Sequence, residues 1–460
     1  MQPPGSPALQ AFIAASRFGF GARGDDLARI GPDAAGWLES QLDPRFAENS
    51  ALTALSQTIE TAEPFRDILK NKREIADHDK DDADLIETLK STRQAALDRY
   101  IHEIAIRMDV AAQSDAPFFE RLVHFWSNHF TVSARKWGDV PLVVGFERDA
   151  IRPYVMGNFE DMLVAVVKNP AMQIYLDNFQ SAGPGTETAK TYHRGLNENL
   201  AREVLELHTL GAGGGYTQGD VTEFAKMLTG WGIEAQGAGA DSWAIHFSPD
   251  LHEPGDKTLL EKIYHAGGQD EALAALHMLA RHPKTADFIA LKLARHFIAD
   301  DPPAEAVAAL SDSFKKSRGD LMPLYRTLIH LQAPWAVPLP KVKTPNDLIV
   351  SLIRCTGMKA EDGKLLNAYH TLEQMPFSAP SPAGWSDRAK DWMSAEALLQ
   401  RMDLAQTIAA ARYVDVDPLA LMESSIGPVA SSTTRDAVTK AGSRQESLAL
   451  LLASPEFQRR

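Results

Sequence analysis

Apolar residues recur every three or four positions along most of this chain, and no other feature constrains its fold as strongly. That spacing matches the α-helix, whose side chains return to the same face every 3.6 residues. The segments with this spacing are 82–113, 116–129, 158–168, 196–210, 218–229 and most of the chain from about 268 onward. The interior lacks the alternation of strands and helices that a doubly wound sheet requires. We therefore predict a mostly α fold, built as a multi-helix globular bundle.

One region departs from the helical pattern and predicts a small β structure. Residues 231–265 contain a Gly-rich break, an alternation of Trp243, Ile245 and Phe247, and a Pro-Gly turn. Alternation with a period of two is typical of a half-buried strand, and Pro-Gly marks a turn. We therefore predict a β-hairpin or extended flap, inserted near 231–265 between two helical halves.

The chain is long enough for several domains, but its pattern favours one. At about 150 residues per domain, 460 residues correspond to about three domains, although one large domain is allowed. We predict a single large helical domain, 1–460, with three subregions. These are N-terminal helices at 1–115, a motif-rich centre with the flap at 116–265, and C-terminal helices at 266–460.

Composition excludes several classes of protein. Apolar residues make up 44% of the chain, as in ordinary globular proteins. The formal net charge of −14 argues against a nucleic-acid partner or an anionic membrane surface, because both select a basic footprint. The single cysteine, Cys355, excludes an intrachain disulfide and a cysteine-based zinc or iron–sulfur site. Any metal would therefore be held by oxygen and imidazole ligands.

We find no membrane or export signal in the sequence as given. No stretch approaches the roughly 18 apolar residues of a membrane span, and the N-terminal segment lacks the basic start of a secretory signal. We therefore expect no membrane span and a cytoplasmic protein.

Acidic residues cluster on two adjacent predicted helices, 196–210 and 218–229. At about 100° per residue, Glu198, Arg202 and Glu206 share one helix face. Glu203 lies at the edge of the apolar face, so we expect it to be partly buried, with a raised pKa if it is unpaired. The five acids of this segment are Glu198, Glu203, Glu206, Asp220 and Glu223. Like charges so close need cations between them, either basic side chains or a divalent metal such as Mg, Mn, Fe or Zn.

Together with the aromatic helix 118–130 and the flap, these acids predict a site. The predicted catalytic residues are Glu203, Glu206, His252 and Lys257. The predicted substrate-binding residues are Asn128, Asn197, Arg202 and Trp231. The predicted metal ligands are Glu198, Glu206, Asp220, His129 and His208. Simpler interpretations stay open, because Arg202 can form surface ion pairs with its acidic neighbours, the histidines can be core residues, and the flap can be a solvated loop.

The carboxylates and histidines favour an enzyme that hydrolyses a polar substrate. Two carboxylates about 5–10 Å apart would suit a glycan. Carboxylates and histidines around a metal would suit a phosphate- or sulfate-bearing substrate. Two alternatives are a non-catalytic helical scaffold or assembly partner of a neighbouring protein, and a dimetal carboxylate oxygenase. The oxygenase uses Glu-x-x-His twice, whereas this chain has Glu203-x-x-Glu206-x-His208.

Eight segments, in order along the chain, resemble one bacterial family. They are HFWSNHF (124–130), NENLAREVLELHTLGAGGGYTQGDV (197–221), LTGW (228–231), HFSPDLHEPGDKTLL (246–260), LARHFIADDPP (293–303), KTPNDLIVSLIR (343–354), PFSAPSPAGW (376–385) and SPEFQRR (454–460). With RFGFGARGDDLARIG (17–31) they cover essentially the whole chain. The chain resembles the family catalogued as domain of unknown function 1800.

The resemblance implies a context rather than an activity. Members of that family are frequently exported, which implies a periplasmic or exported location. They are commonly encoded beside a second family, domain of unknown function 1501, related to sulfatase- and phosphatase-like folds, which implies a product of such a neighbouring gene as a partner. The usual HD-x-G-x-K pattern of the flap is His252-Glu253-Pro254-Gly255-Asp256-Lys257 in this chain, with Glu in place of Asp.

Overall fold

The chain is mostly α-helical, with two small antiparallel sheets, which confirms the predicted fold class. The structure is a computed structural model, and it describes residues 5–55, 83–136, 140–233, 245–411 and 414–460. Trp243 of the predicted flap lies outside the described residues.

The N-terminal subregion is built on one long helix. Its α-helices are Pro7–Ile13, Asp26–Ile30, Ala34–Glu39, Ser50–Thr53 and Ala83–Gln113. Helix Pro7–Ile13 continues into a π-helical turn, Ala14–Phe18. The 31-residue helix Ala83–Gln113 packs against two helices from the C-terminal subregion, Pro345–Thr356 and Asp362–Thr371. The N-terminal and C-terminal subregions are therefore in contact through this helix.

The central subregion contains shorter helices. Its α-helices are Pro117–His129, Val143–Phe146, Phe159–Lys168, Pro170–Tyr175, Glu187–Tyr192, Asn199–Glu203 and Gln218–Met227. Two of them continue as π-helical segments, Glu147–Ile151 and Val204–Thr209. Pro117 opens helix Pro117–His129, where a missing backbone N–H costs nothing.

The predicted helix 196–210 is not a straight α-helix. It begins at Asn199, and after Glu203 it widens into the π-helical segment, where the Leu210 N–H donates to the carbonyl of Leu205 (3.0 Å). A π-turn bonds one residue further along the chain than an α-turn. A step of 100° per residue therefore does not apply within this segment, in which His208 is fully buried and Leu207 is half-buried.

Two short hairpins replace the single predicted one. Strand β1 (Trp231–Ile233) pairs with β2 (Ile245–Phe247), and β3 (Lys257–Leu259) pairs with β4 (Lys262–Tyr264). The residues between β3 and β4, Leu260 and Glu261, have φ values of 49° and 63°. Positive φ at both central positions is the geometry of a tight two-residue hairpin turn.

The C-terminal subregion is again helical. Its α-helices are Gln269–Ala280, Pro283–Phe297, Ala304–Lys316, Leu321–His330, Ala333–Ala336, Pro345–Thr356, Asp362–Thr371, Ala395–Ala410, Pro418–Ser425, Ser432–Lys440 and Arg444–Ala453. The sequence Thr-Pro-Asn-Asp fixes the start of helix Pro345–Thr356, because the Thr344 hydroxyl accepts from the backbone N–H of Asp347 (3.2 Å) and Pro345 occupies the first helical position.

Buried apolar residues form one contiguous cluster that runs from Ala11 to Phe457 and includes residues from all three subregions. The assignment of 1–460 to one domain stays a prediction. In the part of the chain that the structure describes, no helix combines the length and apolarity needed to cross a bilayer.

Candidate functional site

Glu198 joins the two helices of the acidic helix pair, the name we give to residues 196–229. Its Oε1 accepts a hydrogen bond from the Thr222 hydroxyl (2.6 Å). Its Oε2 accepts from Gln218 Nε2 (2.8 Å) and from Arg202 Nη2 (3.3 Å). The bonds from Thr222 and Gln218 lower the pKa of Glu198. This predicted metal ligand therefore has protein donors on both oxygens, and its ion pair with Arg202 is the surface pair that the sequence allowed.

Asp220 and Glu223 hold the β3–β4 hairpin. Asp220 Oδ2 accepts from the backbone N–H of Thr217 (2.8 Å), which closes a capping box at the start of helix Gln218–Met227, and its Oδ1 accepts from the N–H of Leu260 (2.7 Å). Glu223 Oε2 accepts from the N–H of Thr258 (3.3 Å). Both oxygens of Asp220, another predicted metal ligand, therefore bond to backbone groups.

Glu203 and Glu206, the predicted catalytic carboxylates, are half-buried on the π-helical side of the same pair. Burial raises the pKa of Glu203, Glu206 raises it further, and Arg202 opposes the shift. The direction of this shift is the one expected from the sequence. The nearest polar partner of Glu206 is the Tyr216 hydroxyl, which donates to Oε2 (3.3 Å).

His252 and Lys257, the other two predicted catalytic residues, belong to a buried ion network. The Lys257 ammonium donates to Glu271 Oε1 (2.6 Å) and to the backbone carbonyl of Glu253 (2.5 Å), and it lies 3.3 Å from His252 Nε2. His252 Nε2 also bonds to Glu271 Oε1, and its Nδ1 bonds to the carbonyl of Thr229 (2.8 Å). Lys257 and Glu271 are almost fully buried. This arrangement fastens the flap to helix Gln269–Ala280 and commits the Lys257 donors to protein acceptors.

His129 and His208, the predicted imidazole ligands, lie in an aromatic core. Their ring centroids are 6.2 Å apart, and His129 Nε2 bonds to the backbone carbonyl of His208 (3.1 Å). The His208 ring stands edge-on to Phe130 at 5.1 Å. Burial, with Lys292 adding to it, lowers the pKa of His208 to about 3 and holds that of His129 well below its usual value. Both rings are therefore neutral core residues at pH 7.

The predicted metal ligands are not brought together. Among the described residues, no group of three or more His, Cys, Asp or Glu side chains is arranged to hold a metal ion. The physical reason is local. The acids bond to neighbouring side chains and to the hairpin backbone, while the π-helical turn carries His208 into the core. The set named from the sequence is Glu198, Glu206, Asp220, His129 and His208.

The predicted substrate-binding residues separate into two groups. Asn197 is a structural residue, since its N–H donates to Ser181 Oγ (3.0 Å) and its amide donates to the carbonyl of Asp177 (3.3 Å). Trp231 is buried in β1. Arg202 lies at the surface of the acidic helix pair. Asn128, in contrast, lines a cavity on the other side of helix Pro117–His129.

We call this space the central cavity. Its volume is about 90 Å³. It lies where helix Pro117–His129, helix Pro283–Phe297, the start of helix Pro345–Thr356 and the loop 374–387 meet. Its polar and charged lining residues are Arg107, Arg121, His124, Ser127, Asn128, Thr131, His296, Thr344, Asn346, Asp347, Gln374, Ser386 and Asp387.

Asn128 anchors the loop that closes the cavity. Its side-chain amide donates to the carbonyl of Trp385 (2.9 Å), and its Oδ1 accepts from the N–H of Trp385 (2.7 Å). The preceding Gly384 has φ of +80°, and a Cβ at this position would lie 2.8 Å from both Asn128 Oδ1 and Thr131 Oγ1. Glycine is therefore required where the loop meets the helix.

A buried charge cluster forms one wall. Arg121 Nη1 donates to both oxygens of Asp347 (3.3 and 3.2 Å), and Arg460 Nε lies 3.0 Å from Asp347 Oδ2. All three side chains are almost inaccessible to solvent. Burial by itself would raise the pKa of Asp347, but Arg121 and Arg460 outweigh it and lower the pKa to about 2. Asp347 is thus a permanent anion between two guanidinium groups.

A second wall carries a His–Asp pair. His296 Nδ1 lies 2.7 Å from Asp387 Oδ1. Burial raises the pKa of Asp387, but His296 and Lys341 overcome this and hold the pKa below its usual range. The ionised carboxylate only accepts, so Nδ1 carries the proton. Burial lowers the pKa of His296 although Asp387 opposes it, so the ring is neutral at pH 7 and Nε2 has a free lone pair.

His124 on the adjacent helix has the opposite tautomer. The Asn346 amide is oriented with its Nδ2 towards His124 Nδ1 (3.2 Å), to which it donates, and with its Oδ1 towards the Tyr369 hydroxyl (3.1 Å). Burial, followed by the charges of Arg107 and Arg121, holds the pKa of His124 well below its usual value. The neutral ring therefore carries its proton on Nε2. The cavity has one imidazole that accepts a proton and one that donates.

Three buried polar atoms in the lining have no hydrogen-bond partner among the described residues: Arg121 Nη2, Trp385 Nε1 and His296 Nε2. Leaving a buried donor or acceptor unpaired costs about 1–3 kcal/mol. Such groups around one cavity indicate that a ligand or a reacting molecule supplies the missing partners.

Five residues around the cavity were not predicted as site residues from the sequence: Arg121, His124, His296, Asp347 and Asp387. Four of the segments that carry the family resemblance contribute lining residues: HFWSNHF, LARHF, KTPND and PFSAPSPAGW. The segment SPEFQRR contributes Arg460 next to the wall. The motifs therefore contain residues of the cavity, but their spacing along the chain gave no indication that these residues lie close together in the fold.

The structure is therefore that of a mostly α protein with a buried His–Asp pair in the lining of its central cavity. The chain belongs to the family described as protein of unknown function (DUF1800), whose model matches residues 13–459. No curated protein and no solved structure matches the chain.

Proposed function

We propose that the protein is a hydrolase that works by general acid–base catalysis in the central cavity. The observation that carries this proposal is the buried His296–Asp387 pair, which leaves a neutral imidazole with an unpartnered Nε2 in the cavity lining. A carboxylate that fixes the tautomer of a histidine is the arrangement that makes imidazole an effective base.

In the proposed reaction, His296 Nε2 accepts a proton from a water molecule as the water oxygen attacks the substrate. Asp387 stabilises the imidazolium that forms. The same proton then passes to the leaving group, which returns His296 to its neutral form. His124, with its proton on Nε2, supplies a hydrogen bond to the reacting group from the neighbouring wall.

The site differs from the one predicted on the acidic helix pair, but the class of reaction is the same. Glu203 and Glu206 do not line the central cavity, and Lys257 is committed to Glu271. The charged groups that do line it include two that are almost inaccessible to solvent, Arg121 and Asp347. Electrostatic interactions are stronger in such an environment than at the surface.

The test compares two His–Asp pairs of the same chain. His265 Nδ1 lies 2.8 Å from Asp256 Oδ2, nearly the distance of the cavity pair, but the His265 side chain is 85% exposed. The purified full chain is assayed against p-nitrophenyl acetate, phosphate, sulfate and glucoside. We expect at least one of them to be hydrolysed, with a loss of about 10²–10⁴-fold in His296→Asn and Asp387→Asn.

The matched variant His265→Asn should keep its rate within twofold. Far-UV and near-UV circular dichroism of each variant checks that the fold is retained. The proposal is wrong if no substrate class is hydrolysed, or if His296→Asn and His265→Asn hydrolyse the substrate at the same rate.

A further inference from the structure

We propose that Arg121 and Trp385 form a subsite for a carboxylate or for the carbonyl oxygen of an acyl group, which makes the substrate an acyl ester or amide. This inference rests on the proposed function, because it assigns the substrate of the same cavity. It adds two residues to which the base mechanism gives no role.

Arg121 contributes a donor that the protein itself does not use. Its Nε donates to the carbonyl of Gly19 (2.6 Å), and its Nη1 donates to Asp347. Its Nη2 has no partner among the described residues, although the side chain is only 1% exposed. The guanidinium is held in place by these bonds and by the ring of Phe20, which lies 4.4 Å away. A fixed donor of this kind needs no reorganisation when an oxygen anion arrives.

Trp385 contributes the second donor. Its backbone N–H and carbonyl both bond to Asn128, as described above, and the residue lines the cavity. Its Nε1 has no partner within the described residues. The neighbouring Trp392, with its ring centroid 5.9 Å away, differs in this respect, because its Nε1 donates to the carbonyl of Ser386 (2.8 Å). The two indoles therefore form a natural comparison.

The charge of the lining favours a singly charged or neutral oxygen over a dianion. Arg107 lines the cavity, but its guanidinium is paired with Glu147 through two bonds of 2.6 and 2.5 Å. Asp347 is shared by Arg121 and Arg460, and Asp387 adds a negative charge beside the neutral His296. The charges of these two guanidinium groups and two carboxylates sum to zero, so a phosphate or sulfate dianion would meet no net positive charge from them.

The size of the cavity agrees with a small acyl group. The volume of about 90 Å³ is several times the roughly 10–15 Å³ that a cavity needs to hold one water. In the reaction, the water oxygen bonds to the acyl carbon, the carbonyl π pair moves to oxygen, and the water proton passes to His296. Arg121 and Trp385 would stabilise the oxyanion. The carbonyl then re-forms, the bond to the leaving oxygen or nitrogen breaks, and that atom takes the proton from His296.

The experiment measures binding of simple anions to the full chain by ligand-observed NMR titration, at constant ionic strength and neutral pH. The probes are sodium acetate, sodium phosphate and sodium sulfate. We expect saturable acetate binding that is tighter than that of the other two anions. Trp385→Phe, which removes the N–H and keeps a ring, should weaken acetate binding about five- to tenfold. Trp392→Phe is the matched control and should change it less than twofold.

A second set of variants separates this inference from the proposed function. His296→Asn should bind acetate within twofold of the wild type and yet lose hydrolysis. Arg121→Gln should weaken acetate at least tenfold, and if it does not fold, the two tryptophan variants decide the question. The inference is overturned by an absence of saturable acetate binding, by tighter phosphate or sulfate binding, or by equal effects of the two tryptophan substitutions. If one of these results is found and His296→Asn still loses hydrolysis, the acyl subsite is contradicted but the proposed role of His296 as a base is not.

Discussion

The acidic helix pair and the central cavity contain similar residues but use them differently. In the helix pair, Glu198 and Asp220 have protein donors on both carboxylate oxygens. Around the cavity, Arg121 and His296 each have a nitrogen without a partner among the described residues, and both line the same space. The difference teaches that a dense cluster of charges in a sequence does not by itself mark a site. What distinguishes the cavity is the combination of unsatisfied groups and room for a partner.

The strongest way to test this comparison is to remove a charge from each region. Asp347→Asn should destabilise the protein by about 3–5 kcal/mol, because it leaves two buried guanidinium groups without their counter-ion. Glu198→Gln removes an acid from the exposed helix pair and should cost about 1 kcal/mol or less. Urea unfolding followed by circular dichroism measures both. Equal costs would show that the cavity wall is not the more strongly coupled region.

The buried ion network of the flap allows a test of whether Lys257 is a structural or a catalytic residue. Lys257→Met should destabilise the protein by about 3 kcal/mol, because it strands the buried carboxylate of Glu271. Adding Glu271→Gln should restore part of that loss, with a coupling of about 0.5–3 kcal/mol in a double-mutant cycle of unfolding free energies. Hydrolysis by the folded fraction should be retained. A Lys257→Met variant of unchanged stability that no longer hydrolyses substrate would return Lys257 to the catalytic set.

The loop at Gly384 tests whether the cavity depends on backbone geometry. Gly384→Ala should cost about 1–3 kcal/mol, because alanine is strained at φ of +80° and its Cβ would crowd Asn128. Gly363→Ala, in an open position where an added Cβ meets no neighbour, is the control and should be neutral or slightly stabilising. Thermal unfolding of the two variants measures the difference. Similar melting temperatures would contradict the requirement for glycine at 384.

Acidification should remove the stabilisation that the ionised Asp347 gives to the cavity wall. The folded pKa of Asp347, about 2, lies below its unfolded value near 4. The carboxylate therefore contributes stability that is fully present above pH 4 and is lost as pH falls towards 2, by about 2 kcal/mol. Urea unfolding of wild type and Asp347→Asn between pH 5 and pH 3 should show a steeper decline in the wild type. Parallel curves would contradict the assignment.

The lowered pKa of His296 leads to the prediction with the smallest expected effect, which concerns the dependence of hydrolysis on pH. Because the neutral ring is the proposed base, hydrolysis should stay constant from pH 8 to below pH 6.5, the ordinary value for histidine, and decline only at lower pH. The measurement is kcat/KM against pH. An acid limb centred above 6.5 would mean that the ring is not held in its neutral form.

The fold could be predicted from the sequence far better than the candidate site could. Helical spacing predicted a helix at 218–229, which the structure has as Gln218–Met227, because such spacing depends on neighbours within one or two turns. It did not predict the π-helical turn Val204–Thr209, which begins directly after Glu203. The spacing of apolar residues does not show whether a backbone hydrogen bond spans one residue more than in an α-helix.

The cavity could not be predicted for a different reason. Arg121 meets Asp347 across 226 positions, and Asn128 meets Trp385 across 257. Asn128 was named from the sequence, and the structure places it in the cavity wall. His296 and Asp387 lie 91 positions apart, and each looks like an ordinary polar residue in its own segment. Only the packing of helices shows that they are neighbours.

The pairing of Arg460 with Asp347 has a consequence for the order in which the protein matures during translation. The wall contains Arg121, Asp347 and Arg460, so a ribosome must release the segment around residue 460 before the wall can close. Contacts between such distant positions form slowly, since a long loop must close for each of them. A nascent chain that has already folded its first helices would therefore still lack a finished cavity, and hydrolysis would begin only after synthesis of this segment is complete.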